Sequence, residues 1–193
     1  AADALYTEGF GMNIKWEGEQ SLEEFVKDIL RYINGVIYED HETGEIVIKL
    51  VRDDYILGSL EEFDETDIIS VDDFTRGTIH KVPDVTYVKY WNMYDNLPVT
   101  IPSHDMALVS SQNEMLIPNE VDYTGVVDDD LAGQLAARDQ QQLSAFPAIM
   151  QIKCKRTMSH LHSGDVFKLS YTPLGIVSMV IRIVTPHYGT LTD

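Results

Sequence analysis

The sequence predicts an α+β fold, and three observations predict it. One segment, 21–34, places its apolar residues on a single helical face. Several others alternate apolar and polar residues and are joined by turn residues, which reads as β-hairpins. No stretch alternates strand and helix in βαβ fashion, which argues against a nucleotide-binding α/β sheet. The expected architecture is antiparallel β-hairpins and a small mixed or barrel-like sheet with two amphipathic helices.

The first helix lies in SLEEFVKDILRYING, where Leu22, Phe25, Val26, Ile29, Leu30 and Ile33 share one face. Ser21 and Glu24 have capping-box spacing, and Gly35 is placed to end the helix. Next, Val36–Glu39 and Glu45–Val51 are β-branched runs around His41–Gly44, a hairpin with Thr-Gly at its turn. Residues 52–82 read as irregular, with one short edge strand in FDETDIISVDDFTR. VTYVKYW (85–91) alternates as a strand and LPVTI (97–101) returns, with Pro98 placing the return at an edge. Residues 102–127 read as loop, with short apolar pieces at Ala107–Val109 and Met115–Ile117. The second helix runs from Asp129 to Leu143. Asp128, Asp129 and Asp130 suit the positive end of its dipole, and Phe146-Pro147 stops it. Strands follow at Ala148–Arg156, Val166–Tyr171 and Ile176–Val184, the last two joined by a turn at Thr172–Gly175.

Of the 193 residues, 44% are hydrophobic, enough for a packed core. The 32 acidic residues outnumber the 14 basic ones, for a formal charge of −18. That balance disfavours a grip on nucleic-acid phosphates or on anionic membranes. Residues 1–82 hold 20 acidic and 7 basic groups, against 12 and 7 in residues 83–193. The expected domains are therefore an acidic helix-plus-hairpin domain, 1–82, and a β-rich domain with one helix (about 129–143), 83–193, parted at Pro83. The lone Cys154 sits in an alternating strand and reads as a small buried hydrophobe. The lack of a disulfide framework points to a reducing compartment. No apolar run approaches the ~18 residues that cross a bilayer, and no signal peptide is visible. The chain begins AADALYTEGFG without an initiator Met, as a piece of a longer polypeptide would.

The densest chemistry is in MSHLHSGDVFKLSY, 158–171. His160, His162 and Asp165 are donor types used by catalytic zinc and non-haem iron, so a metal-dependent hydrolase is one reading. Ser163, Gly164 and Asp165 make the same stretch a turn, and the other histidines (41, 80, 104 and 187) are scattered. H-E-x-x-H, G-x-S-x-G and P-loop signatures are absent. The acids at 128–130 lack EF-hand spacing and read as a first helical turn. Gly9-Phe10-Gly11 is followed by an apolar-polar alternation to Trp16, not by a helix, so it cannot cradle a phosphate in the usual way. The expectation is no catalytic residue, no cofactor and no metal. A further reading, an acidic inhibitor that mimics DNA, would spread carboxylates along a regular helix, whereas here they concentrate in loops of the first half.

Ordered stretches along nearly the whole chain resemble the tail proteins of tailed bacteriophages. They are EGFGMNIKW, then the helix and GVIYEDHETGEIVIKLVRDDY, then VTYVKYWNMYDNLPVTIPSHDMA, LAGQLAARDQQQLSAFPAIMQIKCKR and HSGDVFKLSYTPLGIVSMVIRIVTPHYGTL. The family comprises tail-tip and baseplate hub proteins related to the tip-attachment protein of long-tailed phages. The resemblance implies a virion structural protein, made in the bacterial host cytoplasm and placed in the tail. It implies a homotrimer that closes the distal end of the tail, contacts tail-tube and spike or fibre proteins, and surrounds the DNA channel without binding DNA specifically. It supplies no catalytic residues. Ser163-Gly164-Asp165 stands where the family has Pro-Gly-Asp, which makes the turn less rigid. Arg182 matches a strand Arg and Arg52 the Arg of the hairpin exit, each expected to pair with local acids. Acids facing a channel would repel DNA phosphates during ejection. On this reading a β-branched residue at Gly164 lowers stability, and replacing both His160 and His162 by Asn barely registers.

Overall fold

The computed structural model describes residues 1–15, 21–41, 43–77, 82–112, 116–145 and 148–189. Expectations that fall on Trp16, Glu42, His80, Met115, Phe146 and Pro147 lie outside these residues. Along the chain run α1 (Ala2–Thr7), α2 (Leu22–Ile33), β1 (Gly35–Glu39), β2 (Ile46–Leu50), β3 (Glu62–Phe63), β4 (Ile68–Arg76), β5 (Val85–Asn92) and β6 (Leu97–His104). There follow α3 (Met106–Ser111), β7 (Pro118–Asp122), α4 (Asp129–Ser144), β8 (Ala148–Cys154), β9 (Val166–Tyr171) and β10 (Ile176–Arg182). The fold is α+β, with small antiparallel and mixed sheets, none of which closes into a barrel among the described residues.

The chain forms two compact units that interleave in sequence. Leu22–Asp73 and Met150–Asp193 make the first, and Ala2–Ser21 and Phe74–Ile149 the second. The chain passes between them after Ser21, Asp73 and Ile149, whereas the sequence led us to expect a linear division at Pro83.

In the first unit, α2 leads into the hairpin of β1 and β2. The residue that reverses the chain is Asn34, at φ 50, one position before the expected Gly35, which instead opens β1. Asn can take the left-handed conformation because its short polar side chain bonds locally, and here Asn34 Nδ2 donates to Val51 O at 3.3 Å. The hairpin is in register from Gly35↔Leu50 to Glu39↔Ile46. Its turn is closed by Gly44 at φ 70, whose N–H donates to Asp40 O at 2.7 Å. The core of this unit gathers Phe63, Ile68, Met158, Leu161, Phe167, Leu169 and Ile176. Phe63 meets Phe167 edge to face, with centroids 5.5 Å apart, a favoured aromatic arrangement. β9 is the middle strand here, antiparallel to β10 and parallel to β3. The segment 52–82 is more regular than expected: it supplies β3 and the nine-residue β4, which pairs with β8. Cys154 packs half-buried against this core, and burial pushes its thiol pKa up, as suits an inert hydrophobe.

In the second unit, β5 is the middle strand, antiparallel to β6 and parallel to β7. Pro98 and Pro102 both lie on β6, which is an edge strand and tolerates residues lacking an N–H. α4 packs on β5 and β6 through Leu131, Ala132, Leu135, Ala136 and Gln140, a stripe at helical spacing. Gln140 is pinned by Thr86, whose Oγ1 donates to Oε1 at 2.8 Å. Asp128 is the N-cap of α4, and its carboxylate accepts from Leu131 N at 3.3 Å. The stretch 102–127, expected to be loop, holds α3 and β7. α3 starts where the Asp105 carboxylate accepts from Ala107 N and Leu108 N; the Ser144 hydroxyl first, and then these two amides, hold its pKa below the ordinary value.

Candidate functional site

The stretch from His160 to Asp165 is a corner of the first unit, between a 3-10 turn at Arg156–Met158 and the start of β9. Four backbone and hydroxyl bonds shape it. Gly164 N donates to Ile183 O at 2.8 Å and Ile183 N to Asp165 O at 2.9 Å, while Asp165 N donates to His162 O at 3.1 Å. Ser163 Oγ donates to Val184 O at 2.6 Å, a bond that the Pro expected from the family pattern could not make. Gly164 sits at φ 85, and a Cβ there would meet Val36 Cγ2 at 2.9 Å. Glycine is thus required twice over, by the backbone and by the approach of β1.

The inward face of the hairpin closes over this corner. Val36, Tyr38, Val47 and Lys49 share that face by register. Lys49 forms an ion pair with Asp165, whose second oxygen accepts from His162 N at 2.7 Å. Tyr38 stacks on the His162 ring at 4.8 Å, with 23° between planes. The His162 nitrogens lie 3.8 Å from Asp40 Oδ1 and 3.8 Å from Asp165 Oδ2. Tyr188 donates its hydroxyl to Leu161 O at 2.8 Å and meets His41 edge-on at 4.5 Å. Burial first, and then the charges of Asp165, Tyr38 and Asp40, hold the Tyr188 phenol above its ordinary pKa.

His160 takes different partners. Its Nε2 lies 2.9 Å from Glu61 Oε2 and its Nδ1 3.1 Å from Thr157 O. His160 and His162 therefore do not converge on Asp165 as a chelating set. Among the described residues, no group of three or more His, Cys, Asp or Glu is arranged to hold a metal ion. Beside the corner is an open cavity of about 320 Å³, lined by Lys49, Arg52, Tyr55, Glu61 and His160 among others. The two arginines matched to the family tie segments together. Arg182 Nη2 donates to Arg52 O at 2.7 Å and to Asp53 Oδ1 at 3.3 Å. Arg52 donates through Nη1 to the carbonyls of Ile33, Asn34 and Val51, and so caps the backbone where α2 and the hairpin meet. The arrangement can lock a corner and present a polar cleft. It does not aim a nucleophile at a base.

Lys49, Tyr38 and Tyr188 are the members of this corner that the sequence did not single out. Lys49 and Asp165 are 116 positions apart. The one local signal was a cation in the alternating run IVIKL, on the face opposite Ile46 and Ile48.

No family model matches the chain, and no curated protein matches its sequence. Among solved structures, the 43 kDa tail protein of prophage MuSo2 from Shewanella oneidensis is similar, with a TM-score of 0.54 and 11% identity. The similarity covers 89% of this chain and 51% of that one, so the chain spans about half of that tail protein's length. At this identity the likeness is one of fold: the α+β architecture of the chain is similar to that of a prophage tail protein.

Proposed function

We propose that the chain is a structural component of a bacteriophage or prophage tail, not an enzyme, and that it serves in the tail-tip or baseplate hub. The observation that carries this reading is the likeness of fold to a prophage tail protein across 89% of the chain. On this reading its partners are other tail proteins, and the full protein forms a homotrimer around the channel through which DNA leaves. The surplus of 32 acidic over 14 basic residues then keeps phosphates from sticking to the channel wall. His160, His162 and Asp165 act as corner residues. No observed geometry favours the hydrolase or the DNA-mimic reading.

The test is to induce the prophage, purify intact tails and identify their proteins by mass spectrometry, then to locate this chain by electron cryomicroscopy. Density at the distal end of the tail with threefold symmetry is expected. Tails that assemble and infect without the chain would refute a structural role, and density elsewhere on the tail would refute the hub.

A further inference from the structure

In the second unit, Gly9 and Gly11 line an open cavity of about 360 Å³, together with Met12, Asn13, Val127, Asp128 and Leu131. A Cβ at Gly9 or Gly11 would meet nothing within 4 Å, so bare backbone forms part of the wall and leaves room for a foreign side chain. The cavity is a built feature. Asn13 N donates to Gly125 O at 2.9 Å, and Gly125 lies so close to Ile14 that no side chain fits there.

The tip of the β5–β6 hairpin is fastened to the same wall. Met93 N donates to Val127 O at 3.3 Å, and Asn92 Nδ2 donates to Asp129 Oδ1 at 2.9 Å. Tyr90 also donates to Asp129. Asn92 Oδ1 accepts from Tyr94 N at 2.8 Å and Asp95 N at 3.2 Å, which fixes the turn. This hydrogen-bonded tip exposes two large apolar side chains, Met93 at 57% and Tyr94 at 81%. Exposed aromatic and Met side chains are the composition of interface anchors. Carboxylates stand beside both features. Asp95 follows Tyr94 in the turn, Asp128 lines the cavity, Asp130 follows in α4, and none of the cavity-lining residues is basic.

From this combination we infer that the cavity and hairpin tip form a docking surface for a protein segment that carries an apolar side chain flanked by Lys or Arg. The apolar side chain enters the Gly9–Gly11 cavity. The cationic groups lie over Tyr94 and beside Asp95, Asp128 and Asp130, where ring face and carboxylates both attract positive charge. A second copy of this chain, itself strongly acidic, lacks that charge complementarity.

The probe is the peptide acetyl-Ser-Arg-Leu-Lys-Ser-amide, titrated into the isotopically labelled chain and followed by amide chemical shifts. Saturable shifts at Gly9, Gly11, Tyr94 and Val127 at millimolar peptide are expected, weakening several-fold when salt is raised. The counterpart with Glu in place of Arg and Lys should bind at least tenfold more weakly. Gly11→Leu fills the cavity and should abolish the shifts. Asp128→Asn keeps the N-cap, since Asn caps as well as Asp, and should weaken binding several-fold with the fold intact. Equal binding of the two peptides, unchanged binding by Gly11→Leu, or no shifts at these amides would each overturn the inference. None of these results bears on the tail reading, which is tested in the virion.

Discussion

Substituting Gly164 by Val is the sharpest perturbation of the corner. Two penalties add there. The backbone sits at φ 85, and holding a residue with a Cβ in left-handed conformation costs about 1–2 kcal/mol. The new side chain also starts 2.9 Å from Val36 Cγ2, an overpacking that costs about 1–3 kcal/mol. The expected loss is about 2–5 kcal/mol, a large share of the ~5–15 kcal/mol that holds a typical protein folded. Gly175 provides the control. It is also left-handed, at φ 65, but a Cβ there meets nothing within 4 Å, so Gly175→Val should show the backbone penalty alone. Urea unfolding followed by far-UV circular dichroism measures both. A double mutant, Gly164→Ala with Val36→Ala, should recover part of the Gly164→Ala loss, since the two positions touch. If Gly164→Val unfolds within about 0.5 kcal/mol of the parent, or no worse than Gly175→Val, the claim that β1 packs on this corner fails.

Three further outcomes follow from named contacts. Asp165→Ala should cost about 1–3 kcal/mol in chemical denaturation, since it strands His162 N–H, while Lys49→Ala should cost under about 1 kcal/mol because the lysine is 39% exposed; equal losses would contradict this geometry. The two histidines should separate: His160→Asn, at a side chain 47% exposed, should stay within about 0.5 kcal/mol, whereas His162→Ala loses the Tyr38 stacking and about 0.5–1.5 kcal/mol with it, and equal effects at the two positions would contradict this assignment. Burial, and after it the hydrogen bond and charge of Asp129, push the Tyr90 phenol from 10.0 up to about 12. The folded state thus keeps a proton that the unfolded chain releases, so this stabilisation is complete below pH about 10 and is lost as pH rises through about 12. Tyr90→Phe should shrink the alkaline arm of a plot of stability against pH, to which the raised Tyr188 phenol also contributes, and an unchanged arm would count against the assignment.

Local periodicity carried much of the fold. α2 and α4 were legible because apolar residues recur at helical spacing, and β5, β9 and the β1–β2 hairpin because β-branched residues alternate between turn residues. β7 was not legible: PNEVD is polar and opens on Pro, and it becomes a strand only because β5 offers it a parallel edge. α3 is six residues long and depends on the Asp105 side chain, a signal too short to outweigh its loop-like surroundings. The Ser163–Gly164–Asp165 turn was readable from its own residues. Its partners were not, because Val36, Tyr38 and Lys49 come from a hairpin more than a hundred positions earlier.

The interleaving of the two units bears on how the chain is made. Residues 22–73 leave the ribosome before the segment 150–193 that completes their unit, with the whole stretch 74–149 in between. At translation rates of about 5–20 residues per second, the early half waits roughly 4–15 s before its other half begins to be made. The second unit has all its residues once position 149 has emerged, so it can fold first. During that wait the β1–β2 hairpin has no corner to close over, and Val36, Tyr38 and Val47 stay in water. A nascent chain stalled before residue 150 is therefore the form of this protein most exposed to chaperones and to misassociation.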